Sequence, residues 1–570
     1  MLASPVARIR LISFLFVLVA FVLLARLFFV QVVDGESYSD KATEQYANTT
    51  QNLYNRGSIF FKRKDGELLS GAALKSGYKL AINPKEITDK EKLFGELSQY
   101  ITLDKEVFLE KAGKKDDPYE ELTDRLDSSV ADKIKELGLS KEISLVPNRW
   151  RFYPGGILAS HIVGFVGFNN EDYSGRYGLE RYYNNILERN SEGLYNNFFA
   201  QIFQGAKSLI SKNEIREEGD LVLTIEPVVQ GFIENELGKL FNERQTDEAG
   251  IIVMDPMSGE IVSMGALPSF NPQTYFTEED IGVFSNPLIE NIYEMGSIVK
   301  PLTIAAALDA GVLSEGDTYN DKGFVELNGE RIENFDQKGR GMVSIQEILN
   351  QSLNTGAVHA MQKLGRGKFR EYMLKFGFGE KTLIDLPDEV AGRVINLESR
   401  QDIEYATASF GQGIAMSPIN MTRALASLSN GGVLVRPHLV KEFKYDGFPS
   451  RVVYTEEQEK VLSKETSERI SRMLVKVVDE ALVGGKAKLL QHTIAAKTGT
   501  AQISNPTGGY YEDRFLHSFF GYFPAYEPRF LIFIYIVNPK TGRYSSETLT
   551  DPFMNITKFL LNYYEIPPDR

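Results

Sequence analysis

The stretch Glu294-Met295-Gly296-Ser297-Ile298-Val299-Lys300-Pro301 sets a serine and a lysine three residues apart at an expected helix start. The run Leu302 to Leu308 continues that helix, and Gly311 ends it. Residues at i and i+3 share a helix face, so the Lys300 amine falls within reach of the Ser297 hydroxyl. A helix N-terminus disfavours a nearby cation, and burial disfavours it further. Both effects push Lys300 toward the neutral amine, which can act as a base. A serine hydroxyl is a weak nucleophile until such a base takes its proton. Pro301 falls in the first turn, where its missing N–H costs little.

Ser-x-x-Lys alone carries little weight, because a helix cap followed by a surface lysine has the same pattern. Two later stretches change that. Ser352-Leu353-Asn354 precedes an expected helix over Thr355 to Leu364, and Lys497-Thr498-Gly499-Thr500 lies in an expected strand over His492 to Ala501. Ser-x-x-Lys, a Ser-x-Asn element and Lys-Thr-Gly, in this order, form the signature shared by penicillin-binding proteins and serine β-lactamases.

The 570 residues suit two or three domains. A hydrophobic content of 43% and a charged content of 25% are those of globular protein. The net charge of −14, with no basic run beyond Lys62-Arg63-Lys64, argues against a nucleic-acid partner. The chain contains no cysteine, which excludes disulfides, thiolate metal sites and a cysteine nucleophile. The histidines are His161, His359, His438, His492 and His517; none are spaced as metal ligands, so neither a metal nor a cofactor is expected.

Toward the N-terminus, residues 11–33 are apolar apart from Ser13, Arg26 and Gln31, long enough for one transmembrane span. Arg8 and Arg10 precede this stretch, and Asp34 and Glu36 follow it. The positive-inside rule then places residues 1–10 in the cytoplasm and the rest outside the membrane. A cleaved signal peptide with its core over Leu11 to Ala25 is the alternative, but the apolar run resumes after Arg26 and no small-x-small site follows. Residues 34–215 read as a mixed α/β module without a catalytic constellation, with a strand opening near Arg56-Gly57-Ser58-Ile59 and charged helical material over about 85–140. Residues 216–570 form the second module. Its expected early strands are Gly250 to Asp255 and Glu260 to Ala266, joined by the turn Pro256-Met257-Ser258-Gly259. A largely helical middle and strands over His492 to Ala501, His517 to Tyr522 and Phe530 to Val537 follow, then a last helix over about Asp551 to Tyr564. Strands from both ends must pair across the middle, which gives an α+β layered domain.

These residues resemble the class B penicillin-binding proteins, the monofunctional peptidoglycan D,D-transpeptidases of bacteria. The resemblance rests on the anchor, on Arg56-Gly57-Ser58-Ile59, on the Tyr153-Pro154 and Gly178-Leu179-Glu180 blocks, on the three motifs above, and on Asp255 to Glu260 and Gly411-Gln412-Gly413. It implies a transmembrane helix, a pedestal of the dimerisation type, and a transpeptidase domain with an antiparallel sheet flanked by helices. It also implies the roles. Ser297 attacks the penultimate D-Ala carbonyl of a stem peptide, and Lys300 takes its proton. Ser352 relays that proton to the leaving nitrogen, while Asn354 bonds Lys300 and the substrate amide. Lys497, Thr498 and Thr500 receive the terminal carboxylate, and Gly499 lets the substrate approach the strand. The backbone N–H groups of Ser297 and Thr500 form the oxyanion hole. β-Lactams are implied as inhibitors, and the partners implied are the cell membrane, a polytopic glycan polymerase and division proteins. The septal, cell-division branch is the reading adopted, with the elongation branch as its alternative. A β-lactamase would not need the anchor and pedestal. A bifunctional enzyme would need a glycosyltransferase, whose Glu-Asp-x-x-Phe-x-x-His stretch is not in the sequence. A non-catalytic scaffold would be expected to have lost a motif.

Overall fold

The computed structural model describes residues 54–169, 172–189, 218–445, 449–453 and 459–570. The expected anchor over residues 11–33 lies outside them, and among the described residues no helix is long and apolar enough to cross a membrane. The chain divides into two compact units. One holds residues 76–150; the other is assembled from residues 56–75, 151–189 and the C-terminal part.

In the smaller unit, helices Lys90–Leu97 and Lys105–Lys111 begin where Asp89 and Asp104 accept the N–H groups of Lys92 and Val107. Such caps satisfy N–H groups that the first helical turn leaves unpaired. Leu93, Leu97, Phe108, Leu126 and Ile134 meet in its core. The charged stretch expected to be helical throughout contains the strand Glu120–Asp127. Charge there marks a half-exposed strand face, and no strict helical period was present to tell the two apart.

The larger unit is built on a five-stranded antiparallel sheet. Its strands are β1 (Glu248–Met254), β2 (Ile261–Leu267), β3 (Ala495–Ser504), β4 (Tyr510–Phe523) and β5 (Phe530–Val537), in the spatial order β3-β4-β5-β1-β2. The two early strands therefore pair with the three late ones through β1 and β5, with Ile252 opposite Phe533. Successive strand residues face opposite sides. Ile251, Val253, Ile532 and Ile534 pack with helices α1 (Pro227–Arg244) and α6 (Thr550–Tyr563). Ile252, Met254, Phe533 and Tyr535 join the core that includes α2 (Lys300–Asp309), α3 (Asn354–Leu364), α4 (Pro418–Ala426) and α5 (Lys464–Lys476). Burial on both faces explains why these strands read as unbroken apolar runs.

The middle is less helical than expected. Thr318–Asp321 pairs with Gly341–Ser344, and Phe324–Leu327 pairs with Glu330–Glu333. The strand Val440–Tyr445 pairs with Gly219–Leu223, which in turn lies parallel to Ile59–Lys62. Beside this second sheet, Arg56 and Arg151 hold the carboxylate of Glu180, each through Nε at 2.6 Å. All three side chains are buried. Burial alone would raise the Glu180 carboxyl; the guanidiniums of Arg151 and Arg56 outweigh it and hold the group below its ordinary value. Two of the sequence blocks quoted above thus meet at one buried ion cluster.

Candidate active site

Ser297 lies in a short 3-10 turn, Gly296–Val299, which passes directly into α2 at Lys300. Gly296 has φ of +63°, and a Cβ there would stand 2.9 Å from Thr500 O. Only glycine accepts both the left-handed backbone and that approach. The turn is pinned at its start, where the Gly296 N–H donates to Gly411 O at 3.2 Å. Ser518 Oγ on β4 donates to Met295 O at 2.9 Å. The turn that bears Ser297 is thereby held against both a loop and the central sheet.

Lys300 is fully buried. Its Nζ donates to Ser352 O at 2.5 Å and to Ser352 Oγ at 3.1 Å. Lys497 Nζ reaches the same hydroxyl at 3.2 Å and donates to Thr498 O at 2.8 Å. The Ser352 hydroxyl therefore bridges two amines. Burial, and then the charge of Lys497, lower the Lys300 pKa well below the ordinary lysine value. Burial brings Lys497 down to about 7. Two ammonium groups this close to one hydroxyl repel each other, so the neutral form of one amine is favoured. The amine of Lys300 was expected at Ser297 Oγ; here its hydrogen bonds go to Ser352.

Ser352 has φ of +54°, a left-handed conformation that costs a non-glycine residue about 1–3 kcal/mol. Asn354 was expected in the loop before the next helix. It is instead the first residue of α3, and its Nδ2 donates to Glu333 O at 2.8 Å, while the Lys300 hydrogen bonds go to Ser352.

On β3, the sheet's edge strand, Lys497 and Thr498 line the cleft. Thr500 is tied sideways: its Oγ1 accepts the Ser545 N–H at 3.2 Å and donates to Ser545 Oγ at 3.2 Å. For Gly499 the local cause is visible on the protein side. A Cβ there would stand 2.4 Å from Ser518 Oγ, 2.8 Å from Met295 O and 3.0 Å from Ile298 Cγ2. Its hydrogen side chain lets the strand lie directly against the turn that carries Ser297.

Ser297, Ser352, Asn354, Lys497, Thr498 and Thr500 line one cleft of about 1090 Å³, the size of a large ligand pocket. Sequence reasoning did not find Phe335 and Tyr544, whose rings approach edge-on with centroids 5.8 Å apart at this cleft. Nor did it find the Tyr510 hydroxyl, which donates to Glu294 Oε2 at 2.9 Å. These contacts join residues more than 200 positions apart, and no local pattern announces them. Among the described residues, no group of three or more His, Cys, Asp or Glu side chains is placed to hold a metal.

Residues 249–557 match the penicillin binding protein transpeptidase domain, and residues 54–195 match the penicillin-binding protein dimerisation domain. Stage V sporulation protein D of Bacillus subtilis (strain 168) is 30% identical over 92% of this chain and 80% of its own length. The peptidoglycan D,D-transpeptidase FtsI of Buchnera aphidicola subsp. Schizaphis graminum is 26% identical over 98% of this chain and 94% of its own. Among solved structures, penicillin binding protein 2X from Streptococcus thermophilus superposes with a TM-score of 0.72 at 20% identity, covering 90% of this chain and 80% of that one.

Proposed function

The chain belongs to the penicillin-binding protein transpeptidases, and we propose that it is a peptidoglycan D,D-transpeptidase that cross-links stem peptides through an acyl-enzyme on Ser297. The observation that carries this reading is the pair of buried amines, Lys300 and Lys497, sharing the Ser352 hydroxyl beside the turn that bears Ser297.

Ser297 Oγ attacks the penultimate D-Ala carbonyl of a D-Ala-D-Ala peptide, and Lys300 accepts the hydroxyl proton. The Oγ–C bond forms and the C–N bond to the terminal D-Ala breaks. The proton passes by way of Ser352 to the departing nitrogen. The backbone N–H groups of Ser297 and Thr500 stabilise the tetrahedral oxyanion, each worth about 2.7–4 kcal/mol. Asn354 orients the substrate amide. Lys497, Thr498 and Thr500 receive the terminal carboxylate, and Gly499 keeps the strand free of a side chain there. An amine of a neighbouring stem peptide then attacks the ester, the new amide forms, and the proton returns to Ser297 Oγ. β-Lactams acylate the same hydroxyl.

The substrate is the stem peptide of lipid-linked or nascent glycan, with polymerisation left to a separate polytopic polymerase and to division partners. Residues 1–10 are cytoplasmic and 11–33 form a single anchor in the bacterial cell membrane. Residues 34–215 form the pedestal and 216–570 the transpeptidase domain, both extracytoplasmic. Within the family we assign the septal, cell-division branch; a fluorescent fusion spread along the side wall instead of mid-cell would return the elongation branch.

The test of the chemistry is labelled penicillin followed by peptide mapping. Label is expected on Ser297 and lost in Ser297→Ala and Lys300→Ala. Label on Ser352, or label persisting in Ser297→Ala, refutes the assignment.

A further inference from the structure

Helix α3 starts at Asn354, and its N-cap residue is Leu353, which has no side-chain oxygen to offer. The N–H of Thr355 is one of the donors that a helix leaves unpaired at its start. Asn334, distant in sequence, supplies the missing acceptor: its Oδ1 lies 3.3 Å from Thr355 N and 3.3 Å from Thr355 Oγ1. Asn334 lies directly after Glu333, whose carbonyl takes the Asn354 amide. Two neighbouring residues of one segment thus hold two neighbouring residues of the helix start.

Asn334 is itself held. Its Nδ2 donates to Asp321 Oδ1 and Oδ2, each at 3.1 Å, and to Lys338 O at 3.1 Å. That arrangement requires the amide oxygen to face Thr355. Asp321 also accepts from Thr355 Oγ1 at 2.8 Å, Gly323 N at 2.9 Å and Arg340 N at 3.1 Å. Asp321, Asn334 and Thr355 are all buried. A buried polar cluster satisfied this fully has one arrangement, and breaking any member leaves an unpaired group.

We infer that Asn334, oriented by Asp321, is a positioning residue for the transfer reaction, acting through Asn354. The helix start and the Asn354 amide are set by the same two hydrogen-bonded pairs. This inference rests on the proposed role of Asn354 in orienting the substrate amide. Loss of the Asn334 cap lets the first turn of α3 shift, and a displacement of about 1 Å at a reacting centre can cost about a hundredfold in rate.

The test is a double-mutant cycle on the full chain, read as acylation by fluorescent penicillin, with melting temperature followed in parallel. Asn334→Ala is expected to lower the acylation rate constant by about tenfold to a hundredfold, with the pre-covalent dissociation constant changed less than about threefold. In an Asn354→Ala background the same substitution should cost less than about threefold, because residues acting through one another are not additive. If Asn334→Ala does not fold, Asp321→Asn, which removes the carboxylate that orients the amide, must give the same pattern. Equal losses with and without Asn354, or folded protein acylated at the unsubstituted rate, overturn the inference. Failure of the unsubstituted chain to acylate at Ser297 would instead overturn the proposed function.

Discussion

Replacing Gly499 with alanine should cripple acylation without touching any group that does chemistry. The added Cβ would lie 2.4 Å from Ser518 Oγ, 2.8 Å from Met295 O and 3.0 Å from Ile298 Cγ2. The serine hydroxyl can rotate away, but its hydrogen bond to Met295 O is then lost, at about 0.5–1.5 kcal/mol. Met295 O is backbone, two residues before Ser297, and cannot rotate away. The turn must retreat by several tenths of an ångström, at an overpacking cost of about 1–3 kcal/mol. Because the retreating atoms carry Ser297, the proposed nucleophile, the kinetic loss should exceed the stability loss: about tenfold to a hundredfold in the acylation rate constant. Stopped-flow acylation by a fluorescent penicillin, alongside chemical denaturation, measures both. Adding Ser518→Ala removes the 2.4 Å contact and leaves the 2.8 Å one, so rescue should be partial. A variant that acylates within about twofold of the parent would refute this account, as would full rescue by Ser518→Ala. Either result would show that Met295 O does not transmit the strain.

Three further outcomes are expected. Lys497 titrates near 7 in the folded protein against 10.5 when free, so the unfolded chain binds more protons in that interval. Folding stability should therefore be lost as pH falls from 10.5 toward 7; Lys300, lowered by burial, contributes with the same sign, so Lys497→Met should reduce that slope without abolishing it in denaturation measured across the interval. The same reasoning applied to His161 and His517, both lowered to about 4 by burial, has their contribution to stability falling as pH drops from 6.5 toward 4; pH-dependent melting compared with His161→Gln and His517→Gln checks it, and variant profiles parallel to the parent's contradict it. Glu180→Gln leaves two buried guanidiniums without their shared carboxylate and should cost about 3–5 kcal/mol in denaturant unfolding. A loss below about 1 kcal/mol would mean the cluster is hydrated or rearranges freely.

The candidate site residues were legible because they come in short motifs whose spacing is local: Ser297 and Lys300 lie three residues apart where a 3-10 turn passes into α2, and Lys497 to Thr500 share a strand. The sheet was legible because apolar runs such as Ile251 to Met254 and Phe530 to Ile536 have no alternative to burial on both faces. What stayed hidden depends on distant pairings. The strand Val440–Tyr445 alternates little and carries two lysines, so only its partner Gly219–Leu223 explains it. The Lys300 hydrogen bonds go to Ser352, whose left-handed backbone residue type does not announce. The role of Glu180 was invisible because a Gly-Leu-Glu triplet opens countless exposed helices; burial between Arg56 and Arg151 comes only with the fold.

The order β3-β4-β5-β1-β2 has a consequence during synthesis. Strand β1 leaves the ribosome early, and β2 can cover only one of its edges; the other edge waits for β5. From Met254 to Phe530 the ribosome adds roughly 275 residues, which takes about 15–55 s at 5–20 residues per second. For that time Ala249-Gly250-Ile251-Ile252-Val253-Met254 is an apolar ribbon with open backbone donors and acceptors, the kind of edge that recruits other chains. Slowing translation anywhere between β2 and β5 lengthens the interval in which that edge stays open.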